Sequence, residues 1–452
     1  MRTGSLKQRF IRGSSWTLAG YALSQVIRLG SSLILTRLLA PDIYGVMAIG
    51  YMLVTGLVMF SDIGLAQGAI QSRRGEDATY LNVAWVVQIA RGAVIALMAL
   101  AVSAALASGW ARSVLPDHSV YADERVPGML AVVALLGPIS GFESTKVFLA
   151  RRQLALALLV RIDLVAQLLG TLFTIAWAIV SPSIWALTFG WVFSALVRTV
   201  LTHVSLPGPP NRLQWDRGAF DAVFHFGKWA LLSSAFTFLL TSGDRLLFGA
   251  LIDATQMGFY SIAMLLLGAA QAAVAKVVGY AVLPALSEVV RERASDLKQT
   301  LYRIRWPLDL LCLLLAGALV FLGDPIVRLL YDARYAAAGW ILAVVSITLV
   351  ATRLDVFDQC LVAQGRIRLL SALNAVRLAT LYSLVPAGFL IGGFTGGVQG
   401  VALSALVNSA FVLALQARSR LLDWRREAAA IPIFGAGLLI GWLARQALQF
   451  AV

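Results

Sequence analysis

Twelve or thirteen apolar stretches of membrane-crossing length, joined by very short loops, constrain this chain more than any other feature. They are read as 14–39, 43–71, 81–108, 127–150, 154–181, 183–206, 222–249, 255–287, 306–330, 336–363, 368–391, 397–417 and 428–450. A helix rises about 1.5 Å per residue, so roughly 20 apolar residues cross the hydrocarbon core. With 59% hydrophobic and only 13% charged residues, little of the chain is left to form a water-soluble body. The expected fold class is an all-α polytopic membrane protein whose function lies within the bilayer.

Arg and Lys are concentrated in every second loop. One set holds Arg2, Lys7, Arg9 and Arg12; Arg73 and Arg74; Arg151 and Arg152; Arg212 and Arg217; Arg291, Arg293, Lys298, Arg303 and Arg305; Arg366 and Arg368; and Arg418, Arg420, Arg425 and Arg426. The alternate loops hold Arg37, Arg112, Arg125, Arg328 and Arg334. Loop cations mark the cytoplasmic side, which places the N-terminus there. The net charge of +14 therefore reads as topology and attraction to anionic headgroups, with no nucleic-acid partner expected. The first span has no small-residue cleavage site near its end and is expected to be retained. Cys312 and Cys360 fall inside spans and read as packing residues.

The polar segment 207–221, PGPPNRLQWDRGAFD, divides the chain. The expected organisation is an N-lobe (1–206, helices 1–6), a cytoplasmic linker (207–221), a C-lobe (222–420, helices 7–12) and an additional transmembrane helix (421–452). A faint repeat supports the two lobes: RLLAPDIYGVMAIGYML (37–53) lies against ALIDATQMGFYSIAMLL (250–266), pairing Gly45 with Gly258. Transporters built from such repeats hold substrate between them, near the midplane. Between the spans, Val290, Ala294, Leu297, Leu301 and Ile304 recur at helical spacing. They predict an interfacial amphipathic helix over 288–305.

Several chemistries are missing from the sequence. There is no GxxxxGK[ST] loop for nucleotide phosphates, and no HExxH, CxxC or carboxylate pair at metal spacing. The longest alternate loop, about 109–126, is too short for a catalytic domain, so the chain is expected not to be an enzyme and to need no cofactor.

The in-membrane charges are the candidate site. A charge at the bilayer centre costs several kcal/mol unless it faces a cavity, a partner or water. The basic residues in or beside spans are Arg28, Arg91, Lys146, Arg161, Arg198, Lys228, Arg245, Lys276, Arg353, Arg377 and Arg445. Local carboxylates offer ion pairs to Lys146 (Glu143), Arg245 (Asp244) and Arg353 (Asp355), while Arg161, Lys228 and Arg445 can snorkel. Arg28, Arg91, Lys276 and Arg377 lack such accounts and lead the candidates for a cationic, substrate-binding cavity, followed by Arg353 and Lys228. Arginine suits phosphate because its fork donates two parallel hydrogen bonds. Such a cavity in a mostly apolar transporter suits a lipid-linked phosphate or another amphipathic anion. Asp62, in FSDIGLAQG, either carries a coupling proton or cation or caps a helix break beside Gly64, and the capping role is favoured. Asp244, Asp309 and Asp358 are further coupling candidates.

Several segments carry a family resemblance: LTRLLAPDIYGVMAIG (35–50), SDIGLAQGAIQSR (61–73), FGKWALLSSAFTFLLTSGDRLLFGALIDATQMGFYSIA (226–263) and VLPALSEVVRERASDLKQTLYR (282–303), with weaker matches in LYDARYAAAGWIL (330–342) and LVAQGRIRLL (361–370). In order and spacing they resemble the polysaccharide flippases of the multidrug/oligosaccharidyl-lipid/polysaccharide exporter superfamily, in the branch of colanic-acid and exopolysaccharide exporters. The resemblance implies two six-helix bundles around a central cavity. It implies alternating access that carries an undecaprenyl-pyrophosphate-linked oligosaccharide, an exopolysaccharide, capsule or lipopolysaccharide repeat unit, from the inner to the outer leaflet of a bacterial cytoplasmic membrane. A coupling proton or sodium ion, membrane lipids, and a glycan polymerase and glycosyltransferases of the same pathway are the implied companions. The thirteenth span departs from the twelve-span pattern. Two alternatives stand beside this reading: a cation-coupled exporter of small amphipathic compounds, which calls for an acidic cavity, and a membrane glycan ligase or polymerase, which calls for outer catalytic loops.

Overall fold

The structure, a computed structural model, describes residues 6–62, 64–72 and 74–451. Every regular element among them is helical. In chain order these are α1 (Leu6–Leu38), α2 (Pro41–Phe60), α3 (Leu65–Gln71), α4 (Ala78–Ala107), α5 (Gly109–Val114), α6 (Arg125–Val133), α7 (Leu136–Gly141), α8 (Lys146–Arg152), α9 (Leu156–Val180), α10 (Ile184–Ser205) and α11 (Arg217–Leu251). They continue as α12 (Ala254–Val277), α13 (Leu283–Glu292), α14 (Leu297–Leu330), α15 (Ala338–Val345), α16 (Leu349–Thr352), α17 (Asp355–Ala363), α18 (Ile367–Arg418), α19 (Trp424–Ala428) and α20 (Ala430–Ala451). Among the described residues nine helices are long and apolar enough to cross a membrane, or ten if the bent pair Arg125–Gly141 and Lys146–Arg152 is one span. The α18 element is itself two helices joined at Gly392 and Gly393, where the backbone leaves helical geometry. Each apolar stretch of the sequence lies on one helix or on a run of consecutive helices, and the fold class is all-α and membrane-spanning.

The chain forms two compact units, Met1–Ser242 and Gly243–Val452. In the first, α9 packs along α1 and α10, and α4 packs on α6 and α7. The polar segment before α11 is tied down: Asn211 accepts from Ser144 Oγ and donates to Thr145 Oγ1, both at 2.6 Å. Asn82 accepts from the Arg212 amide at 3.0 Å. Asp77 caps α4 by accepting from the Thr79 amide, and its bond to Arg74 holds its carboxyl below the usual carboxylate range. The two repeat segments have the same local form. A two-residue break before α2 and another before α12 each join a pair of long helices, and Gly45 and Gly258 are both buried.

The segment 288–305 is not the single amphipathic helix its spacing predicts. α13 ends at Glu292, Arg293 adopts φ −147, ψ 59, and a 3-10 turn over Ala294–Asp296 leads into α14. The polar run from Arg291 to Asp296 explains the break, because Ser and Asp side chains compete with helical backbone bonds. Leu297 and Leu301 are buried as the first turns of α14, while Val290 belongs to α13.

In the second unit α14 packs on α15 and on α20, so the extra C-terminal helix is joined to that unit along one face. Glycines allow the close approach. A Cβ on Gly437 would meet the Leu314 carbonyl oxygen at 2.6 Å, and one on Gly441 the Ala318 carbonyl at 2.5 Å. Small residues at such crossings let membrane helices gain dispersion contacts that lipid cannot supply. Gly437→Leu is therefore expected to destabilise the protein by about 1–3 kcal/mol through overpacking. Gly435→Ala, where nothing lies within 4 Å of the added carbon, should leave stability unchanged or raise it. Thermal unfolding of both purified variants in detergent checks the pair, and equal behaviour would refute the packing argument.

Candidate functional site

Two helix breaks in the first unit open onto one cavity of about 410 Å³. The first lies between α2 and α3. Gly64 adopts a left-handed conformation (φ 63), which glycine reaches without steric penalty. Asp62 Oδ1 accepts from the Gly64 amide at 2.9 Å, and Oδ2 accepts from Ser234 Oγ at 3.2 Å. Asp62 thus clasps the break, as the capping reading expects. The second break lies between α7 and α8, inside a span bent by 63°. Gln88 Nε2 on α4 donates to the carbonyls of Ser140, Gly141 and Glu143 at 2.9–3.1 Å, and Thr202 Oγ1 accepts from the Ser144 amide. Irregular backbone at membrane depth is stable where protein satisfies it or where it lines a cavity, and here both conditions hold.

Arg91, Arg151 and Arg198 line this cavity together with Asp62, Glu143, Gln67 and Gln88. Arg198 is spent on carboxylates, 2.6 Å from Glu143 and 2.8 Å from Asp163. Among the described residues Arg91 hydrogen-bonds neutral groups, the Val58 carbonyl at 2.7 Å and Ser61 Oγ at 3.2 Å. Among the described residues neither Arg91 nor Arg151 has a carboxylate within ion-pair distance. Three arginines against two carboxylates leave the lining one positive charge in excess. Asp62→Asn should keep the clasp through its remaining carbonyl oxygen and lower transport only modestly, whereas Asp62→Ala should cost about 1 kcal/mol of stability through loss of the cap. Transport abolished in Asp62→Asn at normal stability would assign the residue to ion coupling instead.

The other sequence candidates lie elsewhere. Arg28 is exposed on α1 and does not line the cavity. The Lys228 side chain falls outside the described residues. In the second unit Lys276 is half-buried in the last turn of α12, just before a π-helical turn over Val278–Val282. Arg377 pairs with Asp358 at 2.6 Å and with Asp355 at 3.7 Å. Asp244 accepts from Tyr260 Oη at 2.5 Å. Local pairings expected from sequence are replaced: Lys146 donates to the His203 carbonyl at 2.9 Å, leaving Glu143 to Arg198. Arg353 pairs with Asp309 and Glu427, each at 3.2 Å, and not with Asp355.

Arg353 belongs to a buried network in the second unit. Arg305 binds Asp309 at 3.0 Å and also Glu427, which in turn accepts from Tyr302 Oη at 2.8 Å. Two guanidinium groups and two carboxylates balance in charge, and Glu427 comes from α19, at the root of the extra helix. Arg151 and Glu143 were not among the sequence candidates. The signal for Glu143 was the polar interruption Gly141–Thr145 in an otherwise apolar span, since broken spans commonly mark binding sites.

The comparisons with known proteins match this architecture. A family model described as "Polysaccharide biosynthesis protein" matches residues 34–339, more than half of the chain. No curated protein matches. Among solved structures, the lipid II flippase MurJ in an inward closed conformation is 10% identical with a TM-score of 0.69, over 96% of this chain and 92% of its own. A multidrug resistance MATE family transporter of the MOP superfamily, in an inward-facing conformation, is 11% identical with a TM-score of 0.63, over 90% of this chain and 98% of its own. A further MATE structure, in complex with MaL6, gives 15% identity and a TM-score of 0.52, over 92% and 97%. The fold is that of MOP superfamily transporters.

Proposed function

This chain belongs to the polysaccharide biosynthesis protein family, and from that premise we propose that it is a flippase for an undecaprenyl-pyrophosphate-linked oligosaccharide. The carrying observation is the cavity at two broken helices, lined by three arginines against two carboxylates, with Arg91 and Arg151 outside ion-pair distance of a carboxylate among the described residues. A pyrophosphate brings several negative charges into a low-dielectric setting, where charge-assisted bonds from guanidinium groups are strong. Gln67 on the same wall supplies a neutral polar group suited to sugar hydroxyls. A protein of the same fold is a flippase for another lipid-linked precursor, lipid II. The arginine-rich loops support a cytoplasmic N-terminus, and the transport proposed is from the inner to the outer leaflet. The net positive lining speaks against an exporter of cationic compounds, and solved structures of the same fold are transporters or flippases.

The test is reconstitution in proteoliposomes with a fluorescent undecaprenyl-pyrophosphate-linked oligosaccharide. Protein-dependent loss of inner-leaflet probe to a membrane-impermeant quencher is expected. Translocation no faster than in empty liposomes, with the protein folded, would refute the assignment.

A further inference from the structure

The second unit carries an anion site that the transport reading does not use. An open cavity of about 540 Å³ is lined by Arg366, Leu369, Leu415, Arg418, Ser419 and Arg420. Three of its six lining residues are arginines and none is a carboxylate. They come from the two ends of α18, about fifty residues apart in sequence and brought together because α18 folds back at Gly392–Gly393. Arg366 Nη1 lies 3.5 Å from Ser419 Oγ, which joins the two ends. The second end is fixed by its own backbone. The Arg420 amide donates to the Ala417 carbonyl at 3.0 Å and the Leu421 amide to that of Gln416 at 2.9 Å, a Schellman closure. That closure puts Arg420 in the left-handed region (φ 57), where glycine is usual. Loop cations needed only for membrane orientation have no reason to converge on one cavity. All three guanidinium groups belong to the arginine-rich set of loops, at the level of the cytoplasmic headgroups in the topology above. Leu369 and Leu415 add an apolar wall.

We propose that this cavity binds the phosphate headgroup of an anionic phospholipid, with the arginines on the phosphate oxygens and the leucines against the upper acyl chain. The site is independent of the oligosaccharide substrate and holds the second unit to an anionic leaflet.

Full-length protein in detergent is titrated with phosphatidylglycerol, phosphatidylcholine or inorganic phosphate while its thermal midpoint is followed. Phosphatidylglycerol alone is expected to raise the midpoint. The triple variant Arg366→Gln, Arg418→Gln, Arg420→Gln should lower its apparent affinity by roughly a hundredfold. A control triple, Arg291→Gln, Arg293→Gln, Lys298→Gln, should keep the wild-type response. Should the first triple fail to fold, Arg418→Gln alone replaces it, with about a fivefold loss expected. An unchanged response in the arginine variants overturns the site. Equal weakening in the control makes the effect diffuse surface charge and likewise overturns it. A midpoint raised equally by inorganic phosphate overturns the lipid assignment.

Discussion

Glu427→Ala is expected to destabilise the protein by about 3–5 kcal/mol, the usual loss when one partner of a buried ion pair is removed. Arg305 is 1% exposed and Arg353 4%. With Glu427 gone, Asp309 alone would face two guanidinium groups, and Tyr302 would lose its acceptor. Glu427→Gln should lose less, because the amide oxygen still accepts one bond while the net charge remains uncompensated. Combining Arg305→Met, Asp309→Leu, Arg353→Met and Glu427→Leu should recover much of the loss, since apolar residues of similar volume avoid the desolvation of buried charge. Unfolding of purified variants in detergent measures all three. A loss below about 1 kcal/mol for Glu427→Ala would mean that water reaches the network and the pairs behave as surface ones. The same network gives the extra helix a role that a twelve-span pattern does not predict: α19 delivers the carboxylate, and α20 seals α14.

The spans were legible because length and apolarity alone decide whether a helix crosses a bilayer, and neither depends on tertiary contacts. Breaks within spans were only half legible. Asp62 beside Gly64 carried a local capping signal and proved to be a clasp. The Gly141–Thr145 break left its span's apolar character intact on both sides, so 127–150 read as one helix. Ion pairs were the least legible feature. Asp244 and Arg245 are adjacent, and neighbours one apart on a helix do not face each other. Arg353 found its carboxylates 44 and 74 positions away, a choice made by packing and invisible to local spacing. Arg377 was singled out because no nearby acid was evident, yet Asp358 lies against it across the α17–α18 turn. Arg151 read as a loop charge, since nothing in the sequence showed that a 63° bend before α8 places it on a cavity wall.

Arg151→Ala should lower translocation of the lipid-linked oligosaccharide about ten- to a hundredfold, because losing one charge-assisted contact to pyrophosphate removes roughly 1.5–3 kcal/mol. Its side chain is exposed and makes no ion pair among the described residues, so the unfolding midpoint should stay near wild type. Arg91→Ala should lower transport by a similar factor but also lower stability, because Arg91 holds the Val58 carbonyl at the end of α2. Arg91→Lys separates the two roles. An ammonium can still bond one carbonyl, but it loses the fork that grips two phosphate oxygens, so stability should recover further than transport. Flipping in proteoliposomes, read beside the thermal midpoint of each variant, gives the decision. The Arg151→Ala/Arg91→Lys double variant should lose more than either single change, since both groups would grip one pyrophosphate. Wild-type flipping in Arg151→Ala, or a loss in Arg91→Lys that follows stability alone, would remove the cavity from the substrate path.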